Sequence, residues 1–335
     1  MTDMSALGPW LRRFLLEYLV TELNLTRNTQ LSYRDTLVLL LPFLSEAARK
    51  PVERLGVLDL TPEIVLRFLG HLEQQRGCTP QTRNQRLTAV RAFARFVGSR
   101  SPEHVEWCAQ IRALSRKKVN PPPVCYLEKS EMDALLAAPP NNTLQGRRDR
   151  AVLLCLYNTG GRASEIAGLR IGDVQLAKNE SEHSLVTLRG KRGKQRRCPL
   201  WPRTARALAE LMTDRAAEEA VFLSRHGKPF TRFGLRALVQ RHAAQAADQV
   251  PSLAGKCVGP HVVRHTAGTH QLRAGVDINT IRAWLGHARL DTTNIYVEID
   301  VEAKQRALGC CSPGDEPEAK PWRKDPSVLE FLRNL

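Results

Sequence analysis

The chain has 335 residues, with 50 Lys and Arg against 34 Asp and Glu and a formal net charge of +16, so polyanions are its expected partners. A hydrophobic fraction of 42% beside 25% charged residues fits a globular protein of roughly two domains and excludes a disordered chain or a fibrous repeat. The longest apolar runs, residues 37–44 and 151–157, are far short of the roughly 18 residues of a membrane span, and the N-terminus has no basic-then-apolar leader, so a cytoplasmic location away from membranes is expected.

Between residues 10 and 96 apolar side chains recur at three- and four-residue spacing, which predicts a small helical bundle. Thr61-Pro62-Glu63 reads as an N-cap followed by proline in the first turn, and Gly77 stands where a helix should stop. The last helix of this bundle carries Arg83, Arg86, Arg91 and Arg95, a solvated face by default and a DNA-contacting face in view of the charge. Residues 115–125 lack apolar periodicity, hold Arg116-Lys117-Lys118 and three consecutive prolines, and read as a stiff basic linker. Beyond it the pattern is helical again, except for SLVTLRGKRGKQRRCPLW, whose alternation on either side of a Gly-Lys-Arg-Gly-Lys turn predicts a β-hairpin. A third strand is expected at residues 172–176. The fold class is therefore mostly α with one small antiparallel β-sheet. The eight cysteines form no C-x-x-C pair and are expected to be buried thiols in a reducing compartment.

Four places gather polar groups that packing alone does not require. In TGGRASEIAGLRIGDV a glycine pair permits a tight turn, and Arg162 and Glu165 then share a helix face, as a surface salt bridge or as a carboxylate holding a guanidinium. Lys191 and Lys194 flank Gly193 at the hairpin tip; such lysines serve solubility, groove contact or proton donation. In PHVVRHTAGTH, His261 and Arg264 share a face close to a helix N-terminus, an arrangement suited to phosphate. His261 and His265 stand four apart, but no Glu follows the first His and no third ligand is evident, so no metal site is expected. In WLGHARLDTTNIYVEID, Gly286 ends a helix, His287 follows it, and Tyr296 comes nine positions later, where a core aromatic is the commoner fate.

Taken in order, Arg162, Lys191, His261, Arg264, His287 and Tyr296 resemble the catalytic set of the tyrosine recombinase (phage integrase) family. TGGRASEIAGLRIGDV is similar to that family's first-arginine box, RGKRGKQRRCPL to its lysine hairpin, HVVRHTAGTHQLRAGVDINTIRAWLGH to its H-x-x-R to L-G-H segment, and TTNIYVEI to its nucleophile box. The likeness spans residues 126–307, and residues 11–97 more weakly resemble the family's helical core-binding domain. It implies a SAM-like core-binding domain at 8–114, the linker at 115–125 and a catalytic domain at 126–309. The tail at 310–335 departs from the family pattern, and its closing PSVLEFLRNL reads as an apolar terminal helix expected to dock on its own chain or on a neighbouring subunit. Gly161 and Val263 stand where larger or different apolar residues are usual.

The resemblance also implies roles. Tyr296 is the nucleophile, Arg162, Arg264 and His287 bind the scissile phosphate, His261 is the general base, Lys191 the general acid with Lys194 as the alternate, and Glu165 supports Arg162. Arg83, Arg86, Arg91, Arg95, Arg116, Lys117, Lys118 and Lys194 are expected on the DNA backbone. The implied activity is site-specific cleavage and rejoining of double-stranded DNA through a 3′-phosphotyrosyl bond, without cofactor or metal. Integration, excision, transposition and dimer resolution all fit, by a tetramer on DNA, with or without a partner recombinase or accessory DNA-binding protein. A non-catalytic DNA-binding protein of the same fold and a type IB topoisomerase-like enzyme are the competing readings.

Overall fold

Thr61 and Thr79 open successive helices in the same way: each side chain accepts a backbone N–H three residues on, from Ile64 and Thr82, and each is followed by proline, whose missing N–H costs nothing in a first turn. In the computed structural model, which describes residues 5–119, 124–179, 182–190 and 193–286, these helices belong to the first of two compact units, Met1–Pro122 and Pro123–Leu335.

In the first unit α1 (Leu7–Arg13) continues as a π-helical stretch, Phe14–Glu22. It is followed by α2 (Arg27–Ala48), α3 (Pro62–Gln74), α4 (Pro80–Gly98) and α5 (Val105–Ala113). α2 runs on through Pro42; burial of Leu37, Leu40 and Leu44 on its inner face offsets the hydrogen bond that proline removes. Trp10, Phe14, Phe68, Phe93 and Phe96 fill the core. Phe14 meets Phe93 edge-on at 5.4 Å between centroids, and burying each such ring contributes about 2–3 kcal/mol.

The second unit begins with α6 (Lys129–Ala137), α7 (Leu144–Thr159) and the short α8 (Ala163–Ala167). A sheet of β1 (Val174–Gln175), β2 (Leu185–Arg189) and β3 (Gln195–Pro199) follows, then α9 (Pro202–Met212), α10 (Arg232–Ala247), α11 (Pro260–Arg273) and α12 (Ile278–Leu285). The sheet order is β1-β2-β3, antiparallel throughout, as the hairpin pattern and its third strand predict. Its register pairs Val186 with Cys198 and Leu188 with Arg196. Val186, Leu188 and Cys198 are fully buried, so Arg196 lies on the face of the sheet that packs on the core. Cys108, Cys155 and Cys198 are buried as expected, but Cys257 is exposed; it sits in the irregular stretch before α11 rather than on a helix face. No helix among the described residues is long and apolar enough to cross a membrane.

Candidate active site

The site is built where α7 stops. Gly160, directly after α7, has φ of +57° and its added Cβ would stand 2.3 Å from Leu285 Cδ2, so both backbone conformation and space demand glycine there. The turn aims Arg162 back toward α8, where its backbone N–H donates to Glu165 Oε2 at 2.9 Å and its Nη1 to Glu165 Oε1 at 2.8 Å. Glu165 is therefore a brace for Arg162 and not a solvated partner: its side chain is 2% exposed and also accepts from Arg196 Nη2 at 2.8 Å. Burial would raise its pKa, but the Arg196 bond and charge, together with the bonds from Arg162, bring it down to about 2. The carboxylate is thus ionised across the ordinary pH range.

α12 supplies the second wall. Asp277 caps its start by accepting from the Asn279 and Thr280 N–H groups at 2.9 and 3.1 Å, and Gly286 ends it at φ +65°. The carbonyls at such an end lack intrahelical donors and form the negative pole of the helix. Here three consecutive carbonyls each receive a different guanidinium: Trp284 from Arg196 Nε at 2.8 Å, Leu285 from Arg264 Nη2 at 2.6 Å, and Gly286 from Arg162 Nη2 at 3.3 Å. Arg264 also donates through Nη1 to the Gly160 carbonyl at 2.6 Å and is only 3% exposed. Trp284 Nε1 donates to the Asn158 carbonyl, while the Asn158 side chain bonds the Pro199 carbonyl and the Trp201 N–H. The ends of α7, β3 and α12 are therefore tied together beneath the cations. Three guanidiniums, Arg162, Arg196 and Arg264, gather at this end of α12, the first two bonded to the Glu165 carboxylate, and the excess positive charge suits an anion.

α11 brings His261 to the same place, three residues before Arg264. Partial desolvation and the neighbouring Arg264 and Arg162 guanidiniums lower its pKa, which keeps the ring neutral and able to accept a proton near pH 7. One turn on, His265 is held more firmly neutral, its pKa lowered to about 4 by burial, then by His261 and Arg264. The two rings lie 6.5 Å apart between centroids. Among the described residues no group of three His, Cys, Asp or Glu comes together as metal ligands would.

Of the residues expected from sequence, Arg162, Glu165, His261 and Arg264 gather here. Lys191, His287, Tyr296 and the tail lie outside the described residues. The residue before Lys191 is nonetheless well fixed: a Cβ on Gly190 would stand 3.3 Å from Glu165 Oε1, so the mouth of the hairpin abuts the brace of Arg162. Lys194 is exposed, and its carbonyl accepts from the Gly190 N–H. Arg196 and Asn158 were not anticipated.

In the first unit Arg91, Arg95 and Arg116 line one groove of about 610 Å³ together with Arg112, which sequence had not singled out. Arg91 Nε donates to the Arg112 carbonyl at 2.9 Å and Arg116 to Thr88 Oγ1 at 3.0 Å. Arg86 is half-buried, donating to the Ser32 carbonyl and Thr36 Oγ1. Lys117 pairs with Glu73 at 2.7 Å, and Lys118 is exposed. The expectation for Arg83 is corrected. It is 5% exposed, 4.0 Å from Glu73, and donates to the Ser115 carbonyl; turned inward, it braces the unit and is not part of a solvated face.

The phage integrase family model matches residues 125–303, and the model of its N-terminal SAM-like domain matches residues 12–100. The chain belongs to the phage integrase family, the tyrosine recombinases. Members of the family are site-specific recombinases that act by cleaving and rejoining DNA. The chain is 36% identical over 337 residues, covering all of both proteins, to a putative integrase/recombinase, y4rC, of Sinorhizobium fredii. It is 32% identical over 308 residues to the tyrosine recombinase XerC of Pelobacter propionicus, covering 89% of this chain and 93% of that one. Among solved structures the fold is like that of the XerH site-specific recombinase bound to difH substrate, with a TM-score of 0.69 at 19% identity over 92% of this chain and 95% of that one. It is also like a lambda integrase fragment bound to a core site, with a TM-score of 0.60 at 13% identity over 85% and 96% of the two chains. The tyrosine recombinase fold thus holds both the helical N-terminal unit and the catalytic unit.

Proposed function

We propose that this chain recombines specific DNA sites by transesterification, with Tyr296 as nucleophile. Tyr296 Oη bonds to the scissile phosphorus, the bond to the 5′ oxygen breaks, and a 3′-phosphotyrosyl linkage and a free 5′-hydroxyl result. His261 takes the phenolic proton, and Lys191 gives a proton to the departing oxygen. Arg162 and Arg264, joined by His287, bind the non-bridging oxygens and stabilise the charge that grows on them. The phosphodiester energy is kept in the protein–DNA bond, so rejoining to another strand requires no nucleotide cofactor. The observation that carries this reading is the convergence of Arg162 and Arg264 on the end of α12, one residue before His287, with Glu165 bracing the first. Exchange of strands calls for four copies in a synapse, of this chain alone or with a partner recombinase or accessory protein, on cytoplasmic DNA.

The test selects duplexes from a randomised pool by binding and asks for a covalent product. A protease-sensitive adduct at the 3′ side of a break, with a 5′-hydroxyl across it, is the expected result. Specific binding without an adduct identifies a DNA-binding protein, and relaxation of supercoiled DNA without site preference identifies a topoisomerase.

Two further outcomes follow from the geometry. Because the pKa of His261 is lowered, the adduct rate falls in acid only below the ordinary histidine pKa of about 6.5. In His261→Gln that acidic limb disappears and the plateau is lower; an acidic limb that stays in place in the variant removes His261 as the base. On the DNA backbone, Arg95→Ala weakens binding and lowers the slope of log affinity against log salt by about one. Arg83→Ala leaves that slope unchanged and lowers the melting temperature instead.

A further inference from the structure

We infer that Arg196 is a positioning residue for strand cleavage, holding the Arg162–Glu165 pair and the end of α12 in a single arrangement; the inference rests on the reading of the site as strand-cleaving. A basic hairpin is ordinarily solvated, yet Arg196 is 12% exposed in its side chain and stands opposite Leu188 on the inner face of the sheet. Its fork points two ways: Nη2 donates to Glu165 Oε2 and Nε to the Trp284 carbonyl, each at 2.8 Å. The guanidinium also occupies the space under the helix stop, since a Cβ on Gly286 would stand 3.1 Å from Arg196 Nη1. One rigid plane therefore links the first-arginine turn, the lysine hairpin and the segment that leads to His287. A buried ion pair adds little net stability over apolar packing of the same volume, so stability alone gives a weak reason for this group. Fixing the direction of two neighbouring backbone and carboxylate groups is what a planar guanidinium does and an ammonium cannot. With both held, Arg162 meets a phosphate without first having to be ordered.

The experiment compares wild type with Arg196→Ala, Arg196→Lys and Arg197→Ala, all at a temperature where circular dichroism shows them folded. It reads the single-turnover rate of adduct formation at saturating selected duplex, duplex affinity, and amide hydrogen exchange over residues 278–286. Arg196→Ala is expected to lose about 10²-fold in rate with affinity held within about twofold, since small misplacements of a cation cost that much, and to exchange faster over 278–286. Arg196→Lys recovers part of the rate, and Arg197→Ala, from the opposite face of β3, keeps it. Unchanged exchange, an unchanged rate in Arg196→Ala, or equal losses in Arg196→Ala and Arg197→Ala overturns the inference. Absence of an adduct from wild type overturns the cleavage reading beneath it, while the exchange comparison still decides whether Arg196 holds α12.

Discussion

Tyr296→Phe is expected to abolish covalent capture of DNA while leaving duplex affinity within about twofold, because the change removes one nucleophilic oxygen and no positive charge. A phenol with a pKa of about 10 is almost wholly protonated at neutral pH, and a nearby cluster of cations lowers the cost of forming the phenolate. The chain has five tyrosines, and the other four are poorly suited to the task. Tyr157 is 8% exposed, hydrogen-bonded to His270 Nδ1, and pushed up to about 12 by burial. Tyr126 is held by Arg273 and raised by burial and by Glu128. Tyr18 and Tyr33 pack with Phe14 in the first unit. Denaturing gels of end-labelled duplex read the adduct, and native gels read the affinity. A residual adduct in Tyr296→Phe means that another side chain attacks phosphorus.

Much of this was written in local sequence. The Thr-Pro caps, the turn glycines at 160 and 286 and the alternation of the hairpin are each decided within a few residues, so composition and spacing reach them. The pairing of Arg162 with Glu165 is likewise a matter of one helical turn. Arg196 is different: among the basic residues of RGKRGKQRRCPL it looks like one more solvated cation. Only the register against Leu188 turns it inward, and only the docking of α12 supplies its second partner. Asn158 is hidden for the same reason, since its partners lie 41 to 126 positions away. Arg83 does carry a sequence signal of its inward turn. It falls on the stripe of Leu87, Val90, Ala94 and Val97, all buried, at spacings of four, seven, eleven and fourteen; a charge on the apolar stripe of an amphipathic helix is a brace before it is a binding group.

Arg264→Ala is expected to lower the adduct rate by about two to three powers of ten, the usual cost of removing one donor from a developing oxyanion, and to destabilise the second unit as well. The sequence casts Arg264 as a ligand of the scissile phosphate. Its burial and its bonds to the Gly160 and Leu285 carbonyls give it a second task. Without it two buried carbonyls lose their donors, at about 1–3 kcal/mol for each group left unpaired, and the turn of Arg162 loses one of its ties to α12. Arg264→Lys separates the two tasks. An ammonium keeps the charge and can satisfy one carbonyl, but it has no fork with which to hold a carbonyl and a phosphate oxygen together. The melting temperature of Arg264→Lys should therefore lie between those of wild type and Arg264→Ala, while its rate at saturating duplex remains close to that of Arg264→Ala. Affinity should fall little in either, because most of the +16 charge acts on phosphates other than the one being cut. An affinity that fell with the rate across a salt titration would mean that Arg264 binds the duplex as a whole and not the single phosphate assigned to it.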